Sequence, residues 1–220
     1  MRNKLKGPSA LVLVSCAAVL LGLSRYLLVN EIIGSGLHLS FFSFFDAIMP
    51  LTGAVSFGLS SLIFSLRSLL RVAVFGVSPF ILLYHIPGLC ASASWASSNK
   101  LIHIGIPALC LALFWGHPVG WAAAPYALYW FIPMAISLFN KESIFLHSLA
   151  STFIAHAVGS VLWLYGTSMT SAMWLSLIPV VIVERLIFAS VMTLAYWSSV
   201  YVGNLIGISL ASRQQREGNV

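Results

Sequence analysis

Apolar residues fill seven long runs along this chain, and short polar stretches separate them. The runs cover residues 8–29, 39–59, 77–94, 101–116, 119–139, 144–165 and 173–200. A helix needs about 20 apolar residues to cross a bilayer, and most of the runs approach this length. Strands of a membrane barrel alternate over about 10 residues instead. The pattern therefore predicts an all-α fold, a polytopic transmembrane helical bundle that forms one membrane domain over residues 1–220.

The placement of basic residues predicts that both ends of the chain lie in the cytoplasm. The basic residues at the two ends are Arg2, Lys4, Lys6, Arg213 and Arg216. Such residues collect on the cytoplasmic side of membrane proteins. Because termini on one side require an even number of crossings, we expect a multi-pass protein of the cell (inner) membrane with about six spans. One run must then be irregular or re-entrant, and 101–116 is favoured because it is short and contains His103 and Pro107.

Two stretches have less regular patterns. Residues 60–75 mix leucines with serines, Arg67 and Arg71, which predicts either a basic amphipathic helix on the cytoplasmic surface or a continuation of the second span. The first apolar run continues past the length of a signal peptide, through Arg25 to Val29. We therefore interpret it as an uncleaved first span.

The composition agrees with a membrane protein and excludes several functional classes. The chain is 60% apolar and only 7% charged, with a formal net charge of +6, whereas soluble domains carry about 25% charged residues. Basic residues at two separate ends do not form a nucleic-acid patch. Cys16, Cys90 and Cys110 are too far apart for a metal or redox motif. The chain has no ATP-binding motif and no histidine spacing typical of a metal site, so we expect no cofactor and no bound metal.

The last apolar run contains two adjacent charged residues, Glu184 and Arg185. If its helix begins near Met173, Glu184 lies about 16 Å deep, close to the bilayer midplane. A charge at that depth costs at least ~2.5–3.5 kcal/mol, so we expect it to face the bundle interior with a partner. Neighbouring helical residues point about 100° apart, which leaves three possibilities. The two side chains form an ion pair, one faces the protein while the other snorkels, or Glu184 faces inward while Arg185 pairs with Asp46.

A polar stripe follows one face of the run at 144–165. Its members are Ser148, Thr152, His156, Gly159, Ser160 and Trp163. They recur at steps of three and four residues, which is the helical period. His156 would lie near mid-depth, so it could meet Glu184 inside the bundle. The alternative is that small and hydroxyl residues simply pack and hydrogen-bond neighbouring helices.

The segment around residues 115–121 (WGHPVGW) predicts a tight turn between two apolar runs. Its tryptophans could be interfacial anchors. The turn could instead cover a ligand pocket, with Trp121 on the turn and Tyr126, Tyr129 and Trp130 on the next helix as stacking surfaces.

Three regions together carry a pattern that is known from one family. The first is 24–27 (SRYL), followed by a glycine loop and the phenylalanine-rich 39–44 (LSFFSF). The second is 116–121 (GHPVGW). The third pairs 156–163 (HAVGSVLW) with 179–186 (PVVIVERL), a glycine-centred helix and then a proline, an acid and a base. Over about half of the chain this arrangement resembles the S-components of energy-coupling-factor vitamin transporters, in particular the biotin-type branch. The turn lacks the family's threonine and second glycine, and the acid–base spacing is shorter.

The resemblance implies a six-helix membrane subunit that binds a vitamin-like solute, while a scaffold and an ATPase pair supply the energy. It implies docking of the scaffold on small residues of the first helix, here Ala18 and Gly22. The solute would be held by the later spans. The expected substrate-binding residues are Thr152, His156, Ser160, Glu184 and Arg185 as polar contacts and Trp121, Tyr126 and Trp163 as walls.

Two other functional classes remain open from the sequence. One is an intramembrane hydrolase or transferase that uses His156 and Glu184, or His156 with Ser151 or Ser160. The other is a non-catalytic assembly protein whose polar residues only join helices. An enzyme would turn over substrate as a single chain, whereas a binding subunit would show saturable ligand stabilisation and depend on partners for transport.

Overall fold

The structure is a computed structural model that describes residues 4–23, 47–75, 83, 85–139 and 143–217, with backbone alone for 17–23, 67, 70–75 and 212–217. The described residues form helices and connecting turns with no β-strand, so the all-α prediction is confirmed for them. The predicted Asp46 pairing and the first region of the family resemblance lie outside the described residues.

Nine α-helices, two 3₁₀-helices and one π-helix occur in the described part of the chain. The α-helices are α1 (Pro8–Leu23), α2 (Phe57–Phe75), α3 (Ile86–Ala96), α4 (Ile106–Gly116), α5 (Pro118–Ala122), α6 (Phe131–Phe139), α7 (Ile144–Gly166), α8 (Ser171–Ser176) and α9 (Ile178–Glu217). The 3₁₀-helices are Met49–Ala54 and Ala124–Trp130, and the π-helix is Leu101–Gly105.

Helix α7 is the centre of the bundle, with α3, α4, α6 and α9 packed against it. Its start is fixed by Ser143, whose hydroxyl accepts a hydrogen bond from the Leu146 N–H and so caps the first turn. The hydroxyl of Ser151 donates to the carbonyl of Ala91 on α3, and Thr193 on α9 donates to Ser148. Ser148 of the predicted polar stripe therefore faces α9, and Ser151 next to the stripe faces α3.

Two of the described helices are long and apolar enough to cross a bilayer, Ile144–Gly166 and Ile178–Ala211. In the most apolar window of the second helix only 33% of the residues are buried. Its outer surface instead exposes large apolar side chains such as Leu194, Trp197 and Tyr201. An apolar helix that leaves this much apolar surface uncovered fits contact with lipid better than the core of a soluble domain. These two apolar helices are the structural support for a location in a membrane.

Irregular backbone occurs in two of the apolar runs. The run at 101–116 begins as a π-helix but continues directly into α4. The run at 119–139, predicted as one span, is instead divided into α5, a 3₁₀-helix and α6. Proline accounts for the first division, because Pro125 lies in the first turn of the 3₁₀-helix, where a missing N–H is tolerated.

Two further boundaries depart from the sequence pattern. The run at 39–59 is interrupted at residues 55–56, after which α2 begins at Phe57, so 60–75 belongs to a separate helix and does not continue the second span. Leu62, Leu66 and Leu69 on α2 are at least half exposed, while Phe64 is buried. The last run does not begin a continuous helix near Met173, because α8 ends at Ser176 and α9 starts at Ile178 with Pro179 in its first turn.

Candidate functional site, a buried cluster around Tyr126

Tyr126 reaches the interior because of a tight turn between α4 and the 3₁₀-helix that carries it. Gly120 packs so closely on α4 that a Cβ there would lie 2.8 Å from the carbonyl carbon of Phe114 and overlap its oxygen. The Trp115 indole donates to the Ala124 carbonyl across the same turn, at 3.3 Å. These contacts hold the turn and the start of the 3₁₀-helix against α4, and Tyr126 is only 2% exposed.

The Tyr126 hydroxyl joins two members of the polar stripe on α7. It lies 3.0 Å from Nε2 of His156 and 3.1 Å from Oγ of Ser160. A phenol has one proton to donate and lone pairs that accept. One partner therefore accepts from Tyr126 and the other donates to it, which makes a continuous three-member hydrogen-bond chain inside the bundle. The sequence predicted all three residues for the site but did not predict that tyrosine would be the central member.

The adjacent charges form an ion pair with each other. Nη2 of Arg185 lies 2.6 Å from Oε2 of Glu184, and the two side chains are only 2% and 9% exposed. Nη1 of Arg185 also donates to the Thr152 carbonyl at 3.4 Å, one turn before His156 on α7. The guanidinium carbon lies 4.6 Å from the centre of the Phe188 ring. The structure thus brings Thr152, His156, Glu184 and Arg185 to one interface between α7 and α9.

The pair lies closer to a helix end than the sequence predicted. Glu184 comes six residues after Ile178, the first residue of α9, so it is about 9 Å along that helix instead of about 16 Å. The two distances differ because the chain breaks between α8 and α9, just before Pro179. His156, twelve residues after Ile144, keeps its predicted place in the middle of α7.

Aromatic rings enclose Tyr126 on its other sides. Phe114 stacks on it with ring centres 5.6 Å apart, and Trp174 meets it edge-on at 4.9 Å. Trp130 lies edge-on to Phe114 at 5.2 Å. The indole N–H groups of Trp130 and Trp174 are both buried and have no hydrogen-bond partner among the described residues. Sequence reasoning missed both Phe114 and Trp174. Trp174 was missed because it was assigned to a span that the structure divides.

The three remaining residues that were predicted for the site differ in how close they lie to the cluster around Tyr126. Trp163 is half-buried and packs against the same core as Tyr126. The Thr152 hydroxyl donates to the Leu149 carbonyl of its own helix, so only its backbone oxygen takes part in the site. Trp121 is 69% exposed and does not form a wall of the cluster, because the single-turn helix α5 directs its side chain outward.

The geometry does not favour a serine hydrolase. A serine nucleophile needs a hydrogen bond to its base, yet Ser160 and His156 each bond to Tyr126 and no hydrogen bond joins them directly in the described structure. Ser151 is completely buried, and its hydroxyl donates to the Ala91 carbonyl. Among the described residues, no three His, Cys, Asp or Glu side chains converge on one point.

Comparison with known proteins gives no relative on which to base a function. No protein-family model, no curated protein and no solved structure matches the chain. The site must therefore be interpreted from its own chemistry.

Proposed function

We propose that this chain is a membrane-embedded substrate-binding subunit for the uptake of a small vitamin-like solute, energised by a separate ATPase module. The observation that carries the proposal is the cluster around Tyr126. It combines a three-member polar chain with an aromatic wall, and two buried indole N–H groups in this wall have no hydrogen-bond partner among the described residues. Buried donors of this kind cost about 1–3 kcal/mol each when they remain unpaired.

The cluster indicates the chemical class of the solute. Indole nitrogens only donate, so the groups that satisfy Trp130 and Trp174 must be acceptors such as carbonyl or carboxylate oxygens. Phe114 and Tyr126 offer flat apolar surfaces to the rest of the molecule. Arg185 lies close enough to Tyr126 and His156 to interact electrostatically with them, and Glu184 balances its charge.

The proposal includes the arrangement in the membrane. The two long apolar helices α7 and α9 would cross the bilayer, and other helices would bring the total to six spans with both termini in the cytoplasm. The family resemblance adds a scaffold that docks on the first helix near Ala18 and Gly22. Their side chains lie outside the described residues, but Leu11 on the same helix is 71% exposed, so α1 has an uncovered surface.

A thermal-shift screen of the purified protein against vitamins and their precursors tests the proposal. A ligand at 100 times its Kd stabilises the folded state by about 2.7 kcal/mol, which raises the unfolding temperature measurably. We expect this shift to fall in Tyr126→Phe, His156→Ala and Trp174→Phe, each of which removes one polar group of the cluster. Trp121→Phe is the matched control, because Trp121 is exposed, and it should keep the full shift.

Other outcomes would assign a different role. Turnover of a screened compound by the purified single chain would replace the binding subunit with an enzyme. A ligand shift that is identical in wild type, Tyr126→Phe and Trp174→Phe would place binding elsewhere. If no compound stabilises the protein and the variants only lower its stability, the cluster serves to join helices.

A further inference from the structure

Two histidines that are far apart in sequence meet at the end of the bundle where α3 ends and α7 begins. The centres of the His103 and His147 rings are 5.8 Å apart, with the ring planes at 64°. His103 is the central residue of the π-helix Leu101–Gly105, and His147 lies in the first turn of α7. No local spacing motif could reveal this pair, because its members are 44 positions apart in the sequence.

Backbone groups near the end of α3 hold both rings. Nε2 of His103 lies 3.0 Å from the Ser97 carbonyl, and since a carbonyl only accepts, this nitrogen carries the proton. His147 hydrogen-bonds to the backbone of Ser94, one turn earlier. Metal-binding histidines commonly donate one ring N–H to a carbonyl in this way, which orients the ring and leaves the other nitrogen free to coordinate.

The second ring nitrogen of His147 is not used by the described part of the chain. Its Nε2 is buried and has no hydrogen-bond partner among the described residues. In His103 the lone pair that can bind an ion is on Nδ1, because Nε2 donates its proton to the Ser97 carbonyl. The π-helix at His103 is a second sign of function, since π-helical turns are rare and concentrate at functional sites.

We propose that His103 and His147 form a binding site for a borderline divalent transition-metal ion of the Zn²⁺, Cu²⁺ or Ni²⁺ class. The ion coordinates Nδ1 of His103 and Nε2 of His147, with water in its other positions. Zinc–nitrogen bonds of about 2.0–2.1 Å in tetrahedral geometry place two imidazole centres roughly 5–6 Å apart, which the observed separation matches. Hard ions such as Mg²⁺ prefer oxygen ligands and are not expected here.

The surroundings permit entry and suggest a role. Ser98, Asn99 and Lys100, directly before the π-helix, are exposed and give a short path from the surface to His103. Two protein ligands hold an ion reversibly. A bound ion would join the end of α3, the π-helix and the start of α7, and this junction is separate from the cluster around Tyr126.

Binding of Cu²⁺ to the purified full-length protein, after removal of any histidine tag, tests the site. We expect one saturable equivalent, with nitrogen hyperfine structure in the electron paramagnetic resonance spectrum, and competition by Zn²⁺ and Ni²⁺ but not by Mg²⁺. H103Q and H147Q should each weaken binding at least ten-fold, because glutamine can still donate to the backbone but replaces the imidazole. H117Q is the matched control, since His117 lies at a different turn, between α4 and α5, and should bind as wild type does.

The proposal is overturned if the wild-type spectrum shows no nitrogen ligands or if binding is not saturable. It is also overturned if H103Q or H147Q binds as tightly as wild type, or if H117Q loses as much as they do. Helix content by circular dichroism checks that each variant folds. If one of the two variants does not fold, the other variant and the nitrogen hyperfine structure of the wild-type spectrum provide the test.

Discussion

At the scale of single residues, the sequence identified which side chains are costly to bury but not how they pair. Glu184, Arg185 and His156 stand out in any apolar run, and the structure brings all three to one interface, with Glu184 and Arg185 buried and His156 half-buried. The pairing partner of Arg185 depends on rotamers and helix breaks that no residue pattern specifies. Trp121 and Tyr126 show the same limit, because they are five residues apart yet one is 69% exposed and the other 2%.

The first prediction concerns the centre of the polar chain. Tyr126→Phe removes the hydroxyl that joins His156 and Ser160 and leaves both polar groups buried without it. We expect a loss of about 1–3 kcal/mol in the free energy of unfolding. The control is Tyr165→Phe, whose hydroxyl makes one bond to the Leu113 carbonyl on a side chain that is 56% exposed. Denaturant unfolding in detergent measures the stability of both variants. Equal losses would show that water reaches the cluster around Tyr126.

The second prediction concerns the ion pair. Glu184→Gln removes the carboxylate that contacts Arg185 while the guanidinium stays buried. In soluble cores such a change costs about 3–5 kcal/mol, and we expect a large loss of stability here for the same reason. The double variant Glu184→Gln with Arg185→Met removes the charge as well and should recover much of the loss.

Two further variants decide which acid balances Arg185. Glu142→Gln, in the predicted loop between the fifth and sixth apolar runs, should change little. The pairing of Arg185 with Asp46 lies outside the described residues, although the neighbouring Ala47 packs against Phe188. A large loss in Asp46→Asn together with a small loss in Glu184→Gln would assign the principal counter-ion role to Asp46.

At the scale of secondary-structure elements, hydrophobic runs predicted where helices exist but not where they break. The run at 144–165 became α7 almost unchanged, because its start has a serine cap and its interior has no proline. The run at 119–139 was divided, because Pro125 lies in the first turn of a new helix. Apolarity alone does not report such breaks, since both sides of each break are equally apolar.

The third prediction tests the packing of α1 on α9. A Cβ at Gly203 would overlap Ser9 of α1, lying 2.6 Å from its Cα, whereas a Cβ at Gly207, one turn later, would meet nothing within 4 Å. Gly203→Ala must therefore separate the two helices, and we expect it to destabilise the protein by at least the ~1–3 kcal/mol of an overpacked core. Gly207→Ala should instead be neutral or stabilise by about 0.5–1 kcal/mol, because alanine favours the helix. Thermal unfolding of the two variants gives opposite signs if α1 lies where the structure places it, and equal signs contradict that placement.

At the scale of the whole molecule, long-range assembly was the part least accessible to the sequence. The fold class followed from composition and run length, because both are sums over many residues. The central position of α7 and the meeting of His103 with His147 depend on which helices pack together, and nothing local encodes that choice. The side on which each terminus lies is a prediction of another kind, because it rests on the basic residues at both ends and not on how the helices pack.

The fourth prediction is that both ends of the chain lie in the cytoplasm. Basic residues on each side of the apolar region favour that location through the positive-inside rule. Single cysteines at positions 3 and 218, in a background without Cys16, Cys90 and Cys110, should therefore both resist a membrane-impermeant thiol reagent in intact cells and both react after the membrane is opened. Reporter fusions at the two positions provide an independent measurement. Labelling of only one of the two cysteines in intact cells would require an odd number of crossings. The run at 101–116, which continues from the π-helix into α4, would then be the first candidate for the additional span.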